Sequence, residues 1–184
     1  MSTEKKPYTL SILVEDTPGV LSQVARLFSR KGYNIESICA GVTTQPGVTR
    51  ISVVTIGDEK MITQLAMQLS KLLLVISVDV LTGEDSVQRE LLLIKVNAPD
   101  KDSRDSIIQI VNVFRANIVD MARDTLTIAV LGTADKNNAI LGLLEEFGIL
   151  ETARTGMVAL ERGRNNIHEQ NKLKEEYNYG KTVL

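Results

Sequence analysis

The residues whose types and spacing could do chemistry lie in two short stretches, VEDTPGVL (Val14 to Leu21) and GYNIE (Gly32 to Glu36). In the first, Pro18 fixes one backbone angle, and Gly19 removes the Cβ that would keep a ligand from the peptide plane. A helical pattern starts at Val20, so the first amides of that helix point outward without partners, with the positive end of the helix dipole behind them. That is a carboxylate site, worth about 0.3–1 kcal/mol from the dipole and about 2 kcal/mol when partly buried. Asp16 can accept hydrogen bonds from an ammonium group, and Asn34 offers an amide that both donates and accepts. A carboxylate acceptor and a cation acceptor this close together describe an α-amino acid. The same residues also make an ordinary helix entry, with Asp16 or Thr17 as the cap and Pro18 near the first turn. On these residues alone both readings stand.

Other chemistry is harder to assemble. His168 is the one histidine and lies in the polar C-terminal tail; Cys39 is the one cysteine and sits in an apolar-flanked strand, where a small buried thiol is expected. A disulfide framework and a Cys/His metal site are therefore excluded as readings, a triad built on His168 would need the tail folded into a cleft, and no catalytic or metal residue is assigned. Asp58 is read as a helix cap and Glu36 as a solvent-facing strand position, which leaves no acid–base pair among Asp16, Glu36, Asp58 and Glu59. Aromatic residues make up 4% of the chain, and the strands LSILV, RISVVTI and VISVDV hold none, which argues against base stacking on a sheet.

The elements that must position Asp16 to Leu21 and Asn34 follow from periodicity. With 184 residues, 43% of them hydrophobic, and a net charge of −2, the chain can fill one or two ordinary cores and carries no polyelectrolyte face. Leu10, Ile12 and Val14 alternate with Thr9, Ser11 and Leu13, a strand with one strongly buried face; Val20, Leu21, Val24, Leu27 and Phe28 fall at helical spacing, and Gly32 stands at the C-cap. NIESICAGV and TRISVVTIG flank Pro46-Gly47 as a hairpin. Ile62, Leu65, Ala66, Leu69 and Leu73 give a second helix, and LLVISVDVL closes the unit. After TGEDSVQRE the order repeats: LLLIKV, a helix carrying Ile107, Ile108, Val111 and Phe114, the strands NIVDMA and TLTIAVLG, a helix carrying Ala139, Ile140, Leu143, Leu144 and Phe147, and ILETARTGMVAL as a final strand. The expected fold is α+β, two ferredoxin-like βαββαβ sandwiches in tandem, each an antiparallel sheet with two helices on one face. The other face needs a cover, which points to pairing between domains or chains.

LSILVEDTPGVLSQVARLFSRKGYNIESI, then GVTRISVVTIGDEK, QLSKLL, RELLLIKV, VFRANIVD and ETARTGMVAL, in that order, resemble the small regulatory subunit of acetolactate synthase (acetohydroxyacid synthase) from about Tyr8 to Gly163. The resemblance implies an N-terminal arm at 1–7, an effector-binding ACT domain at 8–82, a linker at 83–90, a second ferredoxin-like, ACT-like domain at 91–163 that engages the catalytic subunit, and a polar tail at 164–184. It implies a non-catalytic chain that activates the large catalytic subunit and confers feedback inhibition by a branched-chain amino acid, usually valine. Two ACT domains pair as a homodimer, each site combining the turn of one chain with the Asn34 segment of the other. Asp16, Gly19 and Asn34 match the positions that hold the effector's polar ends, with Thr17, Pro18 and Leu21 in the same turn and Val20 and Ile35 near its side chain. Many bacterial members carry Asn where Asp16 stands. Thiamine diphosphate, magnesium and FAD are expected on the large subunit and no cofactor on this chain. The expected location is the cytoplasm, or the plastid stroma for an organelle-encoded chain, with no nucleic-acid or membrane partner. The alternative is a stand-alone ACT-domain amino-acid sensor without a synthase partner.

Overall fold

The computed structural model describes residues 4–163; His168 and the polar tail lie outside them. Two compact units form, the first from residues 4–88 together with 157–163, the second from residues 89–156.

The first unit runs β1 (Lys6–Glu15), α1 (Val20–Lys31), β2 (Ser37–Val42), β3 (Val48–Gly57), α2 (Glu59–Leu69) and β4 (Val75–Leu81), with antiparallel pairing in the order β2-β3-β1-β4. Val20, Val24, Leu27 and Phe28 of α1 are buried with Leu65 and Leu69 of α2 against Leu10, Ile12, Val14, Ile51 and Val53 of the sheet. Gly32, at φ 68, ends α1 as a left-handed C-cap whose amide reaches the Phe28 and Ser29 carbonyls. Asp58 starts α2 by accepting the Met61 amide at 2.7 Å. Two expected core residues fall elsewhere. Leu73 is 91% exposed because α2 stops at Leu69, short of it, and Leu21 is 45% exposed on the outer side of α1.

Strand β1 is buried on both faces from Thr9 to Val14, not on one. Its second face, Thr9, Ser11 and Leu13, is covered by segments of the first unit itself. Thr9 Oγ1 donates to Gln88 Oε1 (3.2 Å), the Met157 amide donates to Ser37 Oγ (2.9 Å), and Ala159 is buried. Arg50 lies on this face and donates to Ser11 Oγ at 3.0 Å; burial pulls its guanidinium below the ordinary arginine value, against the attraction of Asp79 and Glu161.

The second unit repeats the order with β5 (Ser86–Asn97), α3 (Lys101–Val113), β6 (Asn117–Met121), β7 (Thr125–Gly132), α4 (Ala134–Leu144), a 3-10 turn (Glu145–Phe147) and β8 (Ile149–Arg154), in sheet order β6-β7-β5-β8. Leu92, Ile94, Val96, Leu126, Ile128 and Val130 meet Ile107, Val111, Ile140 and Leu144 in its core. Ala139 and Leu143 of the expected α4 face are exposed, and Asn137 is fully buried in the position the apolar pattern passed over. Its Nδ2 donates to the backbone oxygen and to Oε1 of Glu90 (3.3 and 3.2 Å). Glu90 Oε1 also takes Arg154 Nη1 at 3.1 Å, so its buried carboxylate has a charge partner.

The boundaries differ from those read off the sequence. Residues 83–90, expected as a linker, include the start of β5, and ILETARTGMVAL is two strands. Gly156, at φ 81, takes the chain out of the extended conformation after β8. The following strand, β9 (Val158–Glu161), groups with the first unit, where the Arg162 amide donates to the Asp85 carbonyl at 2.9 Å.

Candidate functional site

Thr17-Pro18-Gly19-Val20 is a turn in which the Val20 amide faces the Thr17 carbonyl at 3.4 Å. Gly19, at φ 91 and ψ −7, has the angles of the third position of a type II turn, where Pro before Gly is the favoured pair. The helix therefore begins from a left-handed glycine. Gly19 is the N-cap, with no side-chain bond to the helix, and its carbonyl accepts the first helical bond from Gln23 (3.1 Å). The reading of Asp16 or Thr17 as the cap is corrected by this geometry: Asp16 is turned to the sheet, its amide on the Gly47 carbonyl (2.8 Å) and its Oδ1 accepting from Thr49 Oγ1 (3.1 Å).

The consequence is an open helix end. In α2, α3 and α4 the third amide of the helix is taken by Asp58, Asp100 and Thr133. In α1 the Leu21 and Ser22 amides have no acceptor among the described residues, and Asp16, Thr17, Pro18 and Gly19 are all exposed around them. An added Cβ on Gly19 would meet nothing within 4 Å, so this glycine answers to backbone angle and approach rather than to crowding. Val20, by contrast, is 6% exposed and committed to the core, and Ile35 packs against the same cluster.

Asn34 is built differently. Its carbonyl accepts from Thr55 Oγ1 at 2.7 Å, which pins the backbone to β3, and its Nδ2 donates to Glu36 Oε1 at 2.7 Å. Glu36 is anchored in turn by its amide on the Val54 carbonyl (2.9 Å). Sequence reasoning assigned no role to Thr49 or Thr55 and read Glu36 as no more than a solvent-facing strand position. Their signal was faint: polar residues at two β3 positions on the same side, and an acid two residues after Asn34.

One chain does not bring the turn and Asn34 together. They occupy opposite ends of α1, whose twelve residues span about 18 Å at 1.5 Å each. The sheet measures the same gap independently. Asp16 is held by Thr49 and Asn34 by Thr55, six residues along β3, or about 20 Å.

Comparison with known proteins addresses the same regions. The family described as "AHAS small subunit-like ACT domain" matches residues 10–77, which contain both the turn and Asn34, and the family described as "Small subunit of acetolactate synthase" matches residues 89–163. A protein of Methanothermobacter thermautotrophicus named "Probable acetolactate synthase small subunit" is 46% identical over 160 residues, covering 87% of this chain and 95% of that one. The chain belongs to the acetolactate synthase small-subunit family. The "Acetolactate synthase small subunit" of Mycobacterium bovis is 47% identical over 162 residues, covering 88% of this chain and 96% of its own length. The crystal structure of the acetolactate synthase small subunit from Thermotoga maritima matches with a TM-score of 0.80 at 37% identity, over 87% of this chain and 99% of that one. The tandem α+β fold is thus that of an acetolactate synthase small subunit, and its ACT domain implies a regulatory role. Among the described residues no group of three His, Cys, Asp or Glu could hold a metal ion, and no helix is long and apolar enough to cross a membrane. Cys39 is half-buried on β2, more open than the buried thiol expected.

Proposed function

We propose that this chain associates with the catalytic large subunit of acetolactate synthase, raises its activity and conveys feedback inhibition by a branched-chain amino acid, valine foremost, held between two copies of the chain. Thiamine diphosphate, magnesium and FAD belong to the large subunit in this reading. The observation that carries the ligand assignment is the open, left-handed N-terminus of α1 at Gly19, which supplies free amides for a carboxylate at the position where the family resemblance puts the effector.

The separation of about 18 Å along α1 explains why the site needs two chains, since one amino acid with hydrogen bonds of about 2.9 Å at either end cannot bridge it. Strand β2 is an edge of its sheet, with Ile38 (41%) and Val42 (79%) exposed. A two-fold axis that joins two β2 strands antiparallel sets the Asn34 end of one against the Gly47 and Asp16 end of the other. A micromolar response requires about 8 kcal/mol, or about 1 kcal/mol per non-hydrogen atom of valine, near the ceiling for small ligands. An interface that surrounds the ligand reaches such efficiency more readily than one exposed turn.

Inhibition then requires that the amino acid bind one arrangement of the dimer better than another, because equal affinity shifts nothing. The test is co-purification of the full chain with a matched large subunit and assay of acetolactate formation with and without valine. The expected result is a stable complex, faster turnover than the large subunit alone, and suppression by valine. No association and no change in rate would sink the proposal.

A further inference from the structure

The structure leaves Glu36 in an unusual position for an exposed strand-entry residue, and we propose that it is the specificity-determining residue that makes the amino-acid site demand a free α-ammonium group. This rests on the ligand assignment proposed above and extends it to the end of the ligand that the helix amides do not reach.

The argument begins with Asn34. Its backbone is held by Thr55 and one N–H of its side-chain amide is taken by Glu36 Oε1, both at 2.7 Å. The oxygen Oδ1 remains as an acceptor, beside the second N–H, on an exposed side chain. Glu36 keeps a second carboxylate oxygen, and no lysine or arginine among the described residues comes within ion-pair reach of it. Both groups stay exposed in the single chain. The pair therefore offers two acceptors, one uncompensated negative charge and a single remaining N–H of Asn34, a set dominated by the charge. An ammonium, with three N–H donors and a positive charge, satisfies that set.

The opposite end of the site supplies open amides at Leu21 and Ser22 behind a glycine, with the exposed Asp16 carboxylate, held at Oδ1 by Thr49, at the start of the same turn. An amino acid fits both ends. The α-keto acid of the same carbon skeleton fits the amide end but sets a neutral acceptor, the keto oxygen, beside Asn34 Oδ1 and the Glu36 charge, with one Asn34 N–H as its single donor. A site built to bond an N–H group rejects analogues that lack it far more strongly than an apolar pocket rejects a missing methylene.

The test is calorimetric titration of the full-length chain with valine and with its α-keto acid, repeated on Glu36→Gln, which keeps an acceptor for Asn34 Nδ2 while removing the charge and turning the second oxygen into a donor, and on Glu36→Asp, which keeps the charge. The parent is expected to prefer valine by at least about 100-fold. Glu36→Gln should weaken valine about tenfold, the difference between a charge-assisted and a neutral hydrogen bond, strengthen the keto acid by removing the facing charge, and so narrow the preference from both sides; Glu36→Asp should recover part of the loss. Equal affinity of the parent and Glu36→Gln for valine, or equal affinity of the parent for valine and the keto acid, would overturn the role of Glu36 alone. No binding by the parent of valine, leucine or isoleucine would overturn the ligand assignment and this inference with it.

Discussion

If each amino-acid site takes its turn from one chain and its Asn34 from another, two variants that cannot bind valine should recover binding when mixed. The variants are Gly19→Val and Asn34→Ala. Gly19 sits at φ 91, where an L-residue costs about 1–2 kcal/mol and a β-branched one more, with no clash because nothing lies within 4 Å of the added Cβ. If that strain is relieved by a shift of the turn, the amides of Leu21 and Ser22 lose their aim, and affinity falls by tenfold or more. Asn34→Ala removes the amide oxygen that would accept from the ligand's ammonium, a hydrogen bond to a charged group worth about 1.5–3 kcal/mol, or roughly 10- to 100-fold in affinity. Random exchange makes half of the dimers mixed, and each mixed dimer has one site with both parts intact and one with neither, so about a quarter of all sites should bind with parental affinity. The assay is calorimetry with valine after mild dissociation and reassociation, with distinguishable tags to verify exchange. Verified exchange without parental-affinity sites would place the site within a single chain, and the 18 Å argument would be wrong.

Glycines in the second unit should respond in opposite directions. A Cβ on Gly132 would lie 2.7 Å from Asn137 Oδ1 and 2.7 Å from Lys136 Cδ, so Gly132→Ala is expected to destabilise by about 1–3 kcal/mol in urea unfolding, whereas Gly142→Ala, inside α4 with open space, should stabilise by about 1 kcal/mol. Arg154→Met leaves the buried Glu90 carboxylate with Asn137 as a neutral partner, and a loss of about 2 kcal/mol is expected from the same measurement, below the 3–5 kcal/mol of a fully buried pair because Arg154 is partly exposed. For Asp100, the Ser103 backbone amide, bonded to its carboxylate, holds the carboxyl below its ordinary value of 3.8. A depressed acid contributes fully above the unfolded value and loses that contribution as pH falls through the folded one, so the first turn of α3 should loosen below pH 3.8. Amide exchange at Ser103 should accelerate there in the parent and show no such acid step in Asp100→Asn.

Much of the scaffold was legible because its signals are local. Side-chain period distinguishes strand from helix within a few residues, which is why β1, α1 and the β2–β3 hairpin fall where alternation and Pro46-Gly47 placed them. Caps made by neighbours are equally local, and Gly32 and Asp58 act as read. The fate of Asp16 was not legible, because its partner Thr49 is 33 residues away and arrives only when β3 pairs with β1. The burial of Asn137 has the same cause, since the Glu90 and Arg154 groups that make it tolerable come from two other strands. Apolar periodicity overcounted at Leu21, Leu73, Ala139 and Leu143, where hydrophobic residues continue past the surface that the sheet can cover.

By itself, then, the sequence determined a repeated βαββαβ chain of a recognisable family and a Pro-Gly turn at the mouth of a helix, since each depends on residues close along the chain. The tertiary structure decided that Gly19 leaves that helix open, that residues 157–161 rejoin the first unit on the far face of β1, and that the turn and Asn34 lie a helix length apart. Those are relations among distant residues, which only the register of the sheet can establish.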